Sequence, residues 1–425
     1  MSAFDRIIGY DTIKKELVQL CDMFHNYDLY KKLGAKLPSG VLLYGDPGLG
    51  KSLMAKCFIE ESGVKAFTVR RNKNEDFVDE ITSSFEEARK AAPSIVFLDD
   101  MDKFANVDDE HPDAPEYVAV QAGIDSVKGE GVFVFATVNE VHKLPDSLRR
   151  SGRFDRKMEV QIPTEKDAEN MIQYYLTDKP VADDVNMRDL ANMISYCTCA
   201  ELETILNEAA ITAAYERHEK IEMQDMLHAV LRMEYNSPDI DYKTNAEDLK
   251  RVAMHEAGHL VVSEALCPGS VGLASIRATG RESENGFIHR CKEIRNREQH
   301  IMISLAGKVA AEMYHPQTRA QGCYSDLKRA FNAIRDDISE SAACGIGMID
   351  VADYRFPETS ESLNARNEAV VHAEMERYAY EVRNILIRNR DFLEKAAEAL
   401  LEKETLLSSD IEELRSRITE SRKSA

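Results

Sequence analysis

The chain has 425 residues, 44% of them hydrophobic and 30% charged, with a net charge of -21; this is the profile of a folded protein of more than one domain, not of a disordered or fibrous one. The excess of acids argues against nonspecific nucleic-acid binding and against an anionic membrane surface as a partner, since either would repel it. The eight cysteines (Cys21, Cys57, Cys197, Cys199, Cys267, Cys291, Cys323 and Cys344) form no C-x-x-C pair, Met1 to Arg6 lacks the apolar region of a signal peptide, and no run of about 18 or more apolar residues occurs, so a reduced, cytoplasmic chain without a membrane span is expected.

The first clear element is a buried strand at Val41-Leu42-Leu43-Tyr44. It runs into Gly45-Asp46-Pro47-Gly48-Leu49-Gly50-Lys51-Ser52, and a helical pattern follows from Leu53. Strand, glycine-rich loop and helix is the context a phosphate-binding loop requires. Backbone N–H groups wrap the phosphates and the helix N-terminus adds partial positive charge. Lys51 is expected to reach the β and γ phosphates of ATP and Ser52 to ligate Mg2+. A second apolar strand, Ser94 to Leu98, ends in Asp99-Asp100-Met101-Asp102. Acids at the C-terminal end of a parallel strand face the ligand crevice, so Asp99 suits holding magnesium and Asp100 positioning the attacking water. A third strand, Val132 to Thr137, leads to Asn139, placed to sense the γ-phosphate. The basic run Leu148 to Arg156 reads either as a solvated turn or as arginine fingers delivered to a neighbour's nucleotide, which requires a ring.

Residues 1–162 alternate strands and helices, as a doubly wound parallel sheet does. Residues 163–234 are helical in pattern and read as a lid. Asn236 to Asp241 is a polar, proline-broken linker, and residues 235–425 beyond the lid are mainly helical. Within them, His255-Glu256-Ala257-Gly258-His259 places two imidazoles one helical turn apart on one face, with a carboxylate beside them. That spacing suits a catalytic metal, zinc by ligand type, which needs a third protein ligand and an open position. By residue type His289, His300, His315 and Asp326 all qualify as the third ligand. Val271 to Ile276 reads as an edge strand on which an extended peptide could pair. Near the end of the chain, Asn384 to Leu406 carries leucines at helical spacing.

Taken together, Gly45 to Ser52, Asp99, Asn139 and Ser151-Gly152-Arg153-Phe154-Asp155 resemble an AAA+ ATPase module. Phe4-Asp5-Arg6-Ile7-Ile8-Gly9, Lys32-Leu33-Gly34 and Pro38-Ser39-Gly40-Val41-Leu42-Leu43 resemble its FtsH-type branch, as do Leu305 to Glu312, Gln321 to Leu327 and the closing Glu402-Lys403-Glu404-Thr405-Leu406. The resemblance implies an α/β AAA+ P-loop domain and helical lid followed by a mainly α-helical zinc metallopeptidase domain. It also implies an adenine pocket at Ile8 and Gly9, a nucleotide-touching lid residue at Ala200, arginine fingers at Arg150 and Arg153, and Asp326 as the third zinc ligand beside His255 and His259. Glu256 then serves as general base in cleaving peptide bonds, and the expected assembly is a homo-hexameric ring acting on protein substrates with ATP, Mg2+ and Zn2+.

Four features depart from that pattern. The family carries N-terminal membrane spans, whereas here the ATPase begins almost at once; membrane association would need a partner or a missing segment. Cys199 stands where the family has glycine, and Asp100 where it has glutamate. The pore segment Arg70 to Asp79 is shorter and more charged, with Phe77 the one aromatic able to grip a substrate and a packed helix-start residue as its other reading. Two further functional readings therefore stand beside the ATP-dependent protease: a zinc peptidase whose ATPase mainly assembles or regulates the ring, and a remodeller without proteolysis.

Overall fold

The protein is described by a computed structural model covering all residues except 1, 36–37, 72–75, 106–113, 151, 238–245, 280–284, 316–322, 342–360 and 425. Asn72 to Glu75 of the pore segment, Ser151 of the basic turn, Pro238 to Asp241 of the linker and Gln321-Gly322 thus lie outside the described residues. Packing divides the chain into two compact units, residues 1–179 with 196–207, and residues 180–195 with 208–425.

The first unit is built on five parallel strands, β1 (Gly40–Tyr44), β2 (Lys65–Arg70), β3 (Ser94–Asp99), β4 (Val132–Val138) and β5 (Arg156–Glu159), in the order β2-β3-β4-β1-β5. Alternation along the strands sorts the core onto two faces. Leu42, Val96, Val134 and Ala136 join Ile81, Phe85 and Tyr117 on one side. Val41, Leu43, Ile95, Phe97 and Phe135 join Leu17, Met54 and Phe58 on the other. Such two-sided burial is what continuous apolar strands in a parallel sheet demand. It leaves the strands' C-terminal ends, where the acids sit, on one edge of the sheet. Helix α1 (Lys51–Ser62) follows the loop after β1. Helix α2 (Phe77–Lys90) opens on Phe77, which is 1% exposed and packs edge-on to Phe104 at 5.0 Å. Of the two readings of Phe77 the packed one holds and the gripping one does not: its ring is core, and Arg71 lies across its face at 4.7 Å.

In the second unit the helix carrying the two histidines, α3 (Ala246–Leu266), packs against α4 (Arg297–Tyr314). The crossing is close because Gly258 faces Ala306 and Ala310. A Cβ at 258 would lie 2.6 Å from the Ala310 Cβ and 2.7 Å from the Ala306 carbonyl oxygen. Alanine normally favours a helix interior over glycine by about 1 kcal/mol, yet overpacking here costs about 1–3 kcal/mol. Gly258→Val is expected to lower the thermal midpoint of this unit, and an unchanged midpoint would refute the tight crossing.

Strand β6 (Val271–Ala278) is central in a three-stranded antiparallel sheet, between β7 (Asn285–Arg290) and β8 (Thr405–Leu407). The expected edge strand at Val271 to Ile276 is thus corrected, and β7 is the edge beside the histidines. The helical reading through Leu406 is corrected too. Helix α5 (Arg390–Lys403) stops at Glu404, whose φ of 61° reverses the chain so that Thr405 and Leu406 pair with β6. The start of β6 is fixed by the buried Glu264 carboxylate, which accepts N–H groups from Gly269, Ser270 and Val271 at 2.8–3.1 Å and the Arg415 guanidinium at 2.7 Å.

Candidate active sites

At the phosphate-binding loop, Lys51 is buried and its Nζ donates to the Gly45 and Asp46 carbonyls at 2.7 Å each. Burial lowers its pKa, opposed by the charges of Asp100, Asp102 and Asp46. Leu49 is buried beneath the loop, while Asp46, Pro47, Gly48 and Leu53 are exposed around it. Gly50 caps α1 in the left-handed region. The Ser52 hydroxyl donates to Asp99 Oδ1 at 2.8 Å, so the two side chains expected to share Mg2+ already meet. Thr137, at the end of β4, also donates to Asp99 Oδ1, at 2.8 Å, and its oxygen accepts the Asp100 N–H at 2.9 Å. It was not singled out from the sequence, although a threonine closing an otherwise apolar buried strand was a usable signal.

Asp100 has a φ of 53°, a conformation aspartate tolerates better than most residues, and its carboxylate pairs with Lys103 at 2.8 Å and Arg70 at 3.7 Å. Asn139 is half-buried and its N–H donates to Asp102 at 3.1 Å. On the opposite flank of the loop, the Ala200 N–H donates to the Gly48 carbonyl at 3.1 Å. Tyr10, directly after Ile8 and Gly9, donates to the Gln161 carbonyl at 3.1 Å and lies 3.4 Å from Cys199 Sγ. Ala200 therefore touches the loop, and Tyr10, next to Gly9, borders the Cys199 that precedes Ala200. The basic run is largely answered within the chain: Arg149 pairs with Asp146, Arg153 with Asp125 at 2.8 Å, and Arg156 with Glu16 at 3.4 Å. Arg150, by contrast, is exposed and pairs with no described acid.

The second site lies in a cleft of about 460 Å³ between α3, β7, α4 and helix α6 (Tyr324–Ser341). His255 Nε2 and His259 Nε2 are 3.0 Å apart, and Asp326 Oδ2 lies 3.2 Å from the first and 3.3 Å from the second. Among the described residues these three form the one group of histidines, cysteines and acids able to share an ion. His289 is used elsewhere, held by Ser195 at 2.8 Å and Tyr235 at 2.6 Å, with burial and then Arg290 drawing its pKa down to about 4. His300 lies against Arg290 at 3.4 Å.

The donor set fits zinc: two imidazoles and one carboxylate converge, and the outer nitrogens have partners. His259 Nδ1 donates to the Ile303 carbonyl at 2.7 Å, which leaves its Nε2 lone pair facing the cluster. His255 Nδ1 lies 3.8 Å from Cys323 Sγ. Gly307 of α4 forms the floor, since a Cβ there would sit 2.5 Å from both Nε2 atoms. Glu256 is 4% exposed and lies against Gly286 of the β7 edge. Burial opposes a proton on His255, but the bonds to Asp326 and Cys323 and the Glu256 charge outweigh it and push its pKa up to about 10. Burial likewise opposes ionisation of Asp326, and the two imidazoles hold its carboxyl far below the usual range. In the metal-free protein His255 is thus protonated below pH 10, and an ion must displace that proton, so affinity falls as pH falls. Calorimetry of zinc binding at pH 7.5 in two buffers of different ionisation heat is expected to show proton release; equal heats would refute it.

Residues 41–162 match the family described as "ATPase family associated with various cellular activities (AAA)", and residues 243–414 match "Peptidase family M41". The chain is 31% identical to ATP-dependent zinc metalloprotease FtsH 3 of Symbiobacterium thermophilum, over 97% of this chain and 70% of that protein. It is 30% identical to FtsH 2 of the same organism over 96% and 73%, and 29% identical to FtsH of Mycoplasma pneumoniae over 96% and 61%. Among the described residues no helix is long and apolar enough to cross a membrane. With both sites laid out in family order along nearly its whole length, the chain belongs to the FtsH family of ATP-dependent zinc metalloproteases.

Proposed function

We propose that this chain hydrolyses ATP at the Gly45–Ser52 loop and cleaves protein chains at a zinc ion held by His255, His259 and Asp326, in a cytoplasmic homo-hexameric ring. The convergence of two imidazoles and Asp326 beside the buried Glu256, under an open β edge, carries the reading. Zinc bound there supplies the Lewis acidity that lowers the pKa of a water and polarises a peptide carbonyl. Glu256 takes the proton of the attacking water and delivers it to the departing amine. The β7 edge pairs with an extended substrate and presents its backbone to Glu256. His259 is kept from rotating by the Ile303 carbonyl, and Gly307 leaves room for both rings.

In the ATPase, Ser52 and Asp99 hold magnesium, Lys51 leaves the loop carbonyls for the phosphates, and Asn139 senses the γ-phosphate. Ile8, Gly9 and Ala200 border the adenine, and Asp100 positions the attacking water. The exposed Arg150 supports a finger reaching a neighbouring subunit; Arg153 must first leave Asp125 to serve as the second. We assign residues 1–162 to the large ATPase subdomain, 163–234 to the lid and 235–425 to the peptidase. The acidic chain has no nucleic-acid partner on this reading.

Asp100 is one methylene shorter than glutamate and is drawn towards Lys103, so it sits back from the attacking water. Asp100→Glu is expected to raise ATP turnover roughly tenfold, within the about 10²-fold that a 1 Å misplacement of a catalytic group can cost; turnover at or below the parent value would refute the role. The function itself is tested by degradation of casein and of a stably folded protein, each with and without ATP. Zinc-dependent cleavage of both with ATP is expected. No cleavage of casein by the zinc-loaded protein would overturn the protease reading, and cleavage of casein alone, indifferent to ATP, would overturn the coupling.

A further inference from the structure

We propose that Arg329 is a catalytic residue of the metal cleft, donating to the oxygen that gains negative charge when a peptide carbonyl is attacked; the role rests on the peptidase reading above. A hydrolytic site needs a donor aimed at that oxygen. The residues already given roles do not supply one, since Glu256 is a carboxylate and Asp326 and the two imidazoles are turned to one another. Arg290, Arg297 and Arg329 line the cleft, and position separates them. Arg297 is engaged by Asp337 at 2.6 Å. Arg290 ends β7, four residues beyond the Gly286 that Glu256 lies against, or about 13 Å along an extended strand. Arg329 is the one of the three that stands beside a metal ligand.

Helical spacing puts it there. Residues three apart share a face, and Arg329 follows Asp326 by three on α6, with its guanidinium 3.7 Å from Asp326 Oδ1. The other carboxylate oxygen, Oδ2, meets His255 and His259 at 3.2 and 3.3 Å, so the guanidinium stands one carboxylate's width from the ligand cluster. At 3.7 Å the contact is an ion pair too long for a hydrogen bond. It keeps the guanidinium at the site without consuming its N–H donors. The side chain is 69% exposed, and an exposed pair of this kind is loosened at little cost. Attack by water forms the new C–O bond, sends the carbonyl π pair onto oxygen and passes a proton to Glu256. Arg329 swings from Asp326 to the charged oxygen. On collapse that pair re-forms the carbonyl and the C–N bond breaks; nitrogen keeps the bond's electrons and takes the proton from Glu256. The charge exists only between attack and collapse, so the donor acts on turnover and leaves substrate binding alone.

The other role open to Arg329 is to balance Asp326 and so hold a metal ligand in place, and the two roles differ in what a variant loses. Arg329→Gln and Arg329→Lys, as zinc-loaded full-length proteins, separate them. The substrate is a fluorescence-quenched decapeptide of alanine, glycine and phenylalanine. The probe is its phosphinic analogue, in which a charged phosphinate and a methylene replace the scissile amide and mimic the attacked carbonyl. Arg329→Gln is expected to lower kcat about a hundredfold, keep KM within about twofold and weaken binding of the phosphinic peptide about a hundredfold. Zinc per chain and the thermal midpoint are expected to match the parent's. Arg329→Lys keeps the charge without the fork and is expected to recover about tenfold of both losses. Turnover within about threefold of the parent, a raised KM with kcat kept, or phosphinic peptide bound as tightly as by the parent would each overturn the proposal. Loss of zinc from Arg329→Gln would also overturn it, by making the residue a partner of Asp326 alone. A parent protein that cleaves no peptide sinks the peptidase reading and this role with it, whereas equal cleavage by parent and variant sinks the role alone.

Discussion

Gly307→Ala is expected to retain its fold and ATPase activity but to lose zinc and proteolysis together. Alanine is the better helix former by about 1 kcal/mol, so α4 has no local reason to unwind. The added methyl meets the His255 and His259 rings, 2.5 Å from each Nε2. The rings can yield only by turning away from one another or from Asp326, and His259 must then break its 2.7 Å bond to the Ile303 carbonyl. Disturbing the groups that orient metal ligands weakens binding by about ten- to a hundredfold. Zinc per chain after dialysis against a weak chelator, read by elemental analysis, is expected to fall to a small fraction of the parent's, with casein cleavage falling in proportion. Full zinc in the alanine variant would show that the rings do not converge over Gly307.

Glu256→Gln is expected to separate what Gly307→Ala joins. The amide keeps the size of the carboxylate and its place against Gly286, and it removes no metal ligand, so zinc content and ATPase activity should match the parent. What disappears is the base. General acid–base groups contribute about 10²- to 10⁴-fold, and a loss of about 10³-fold in casein cleavage is expected. Cleavage within about tenfold of the parent would move the proton-transfer role to another group. Loss of zinc along with activity would make Glu256 a structural or ligating residue instead.

Much of this was legible in the sequence because the chemistry-bearing residues are local. The loop from Gly45 to Ser52, the acids ending β3 and the histidine pair each occupy one short segment, with a strand or helix period that declares its context. The third ligand was not legible in that way. Asp326 is 67 residues beyond His259, and nothing in its own neighbourhood distinguishes it from other acids; resemblance to the family singled it out, and the fold brings it to 3.3 Å. The corrected elements share a cause as well. Val271 to Ile276 looks like any short apolar strand, and its central place depends on Thr405–Leu407, more than 120 residues away, reversing out of a helix. Phe77 illustrates the same limit: an aromatic at a helix start grips or packs according to the partner across from it, here Phe104. Thr137 and the Ile303 carbonyl act through single hydrogen bonds to functional residues, and such roles have no periodicity to read.

The zinc K-edge absorption spectrum of the purified chain reports the ligand set directly. Two imidazoles and one carboxylate give only nitrogen and oxygen scatterers at about 2.0–2.2 Å, with imidazole outer shells amounting to two rings. A sulfur shell at about 2.3 Å would bring Cys323 into the coordination sphere. That result, or a single imidazole, would contradict a site built from His255, His259 and Asp326.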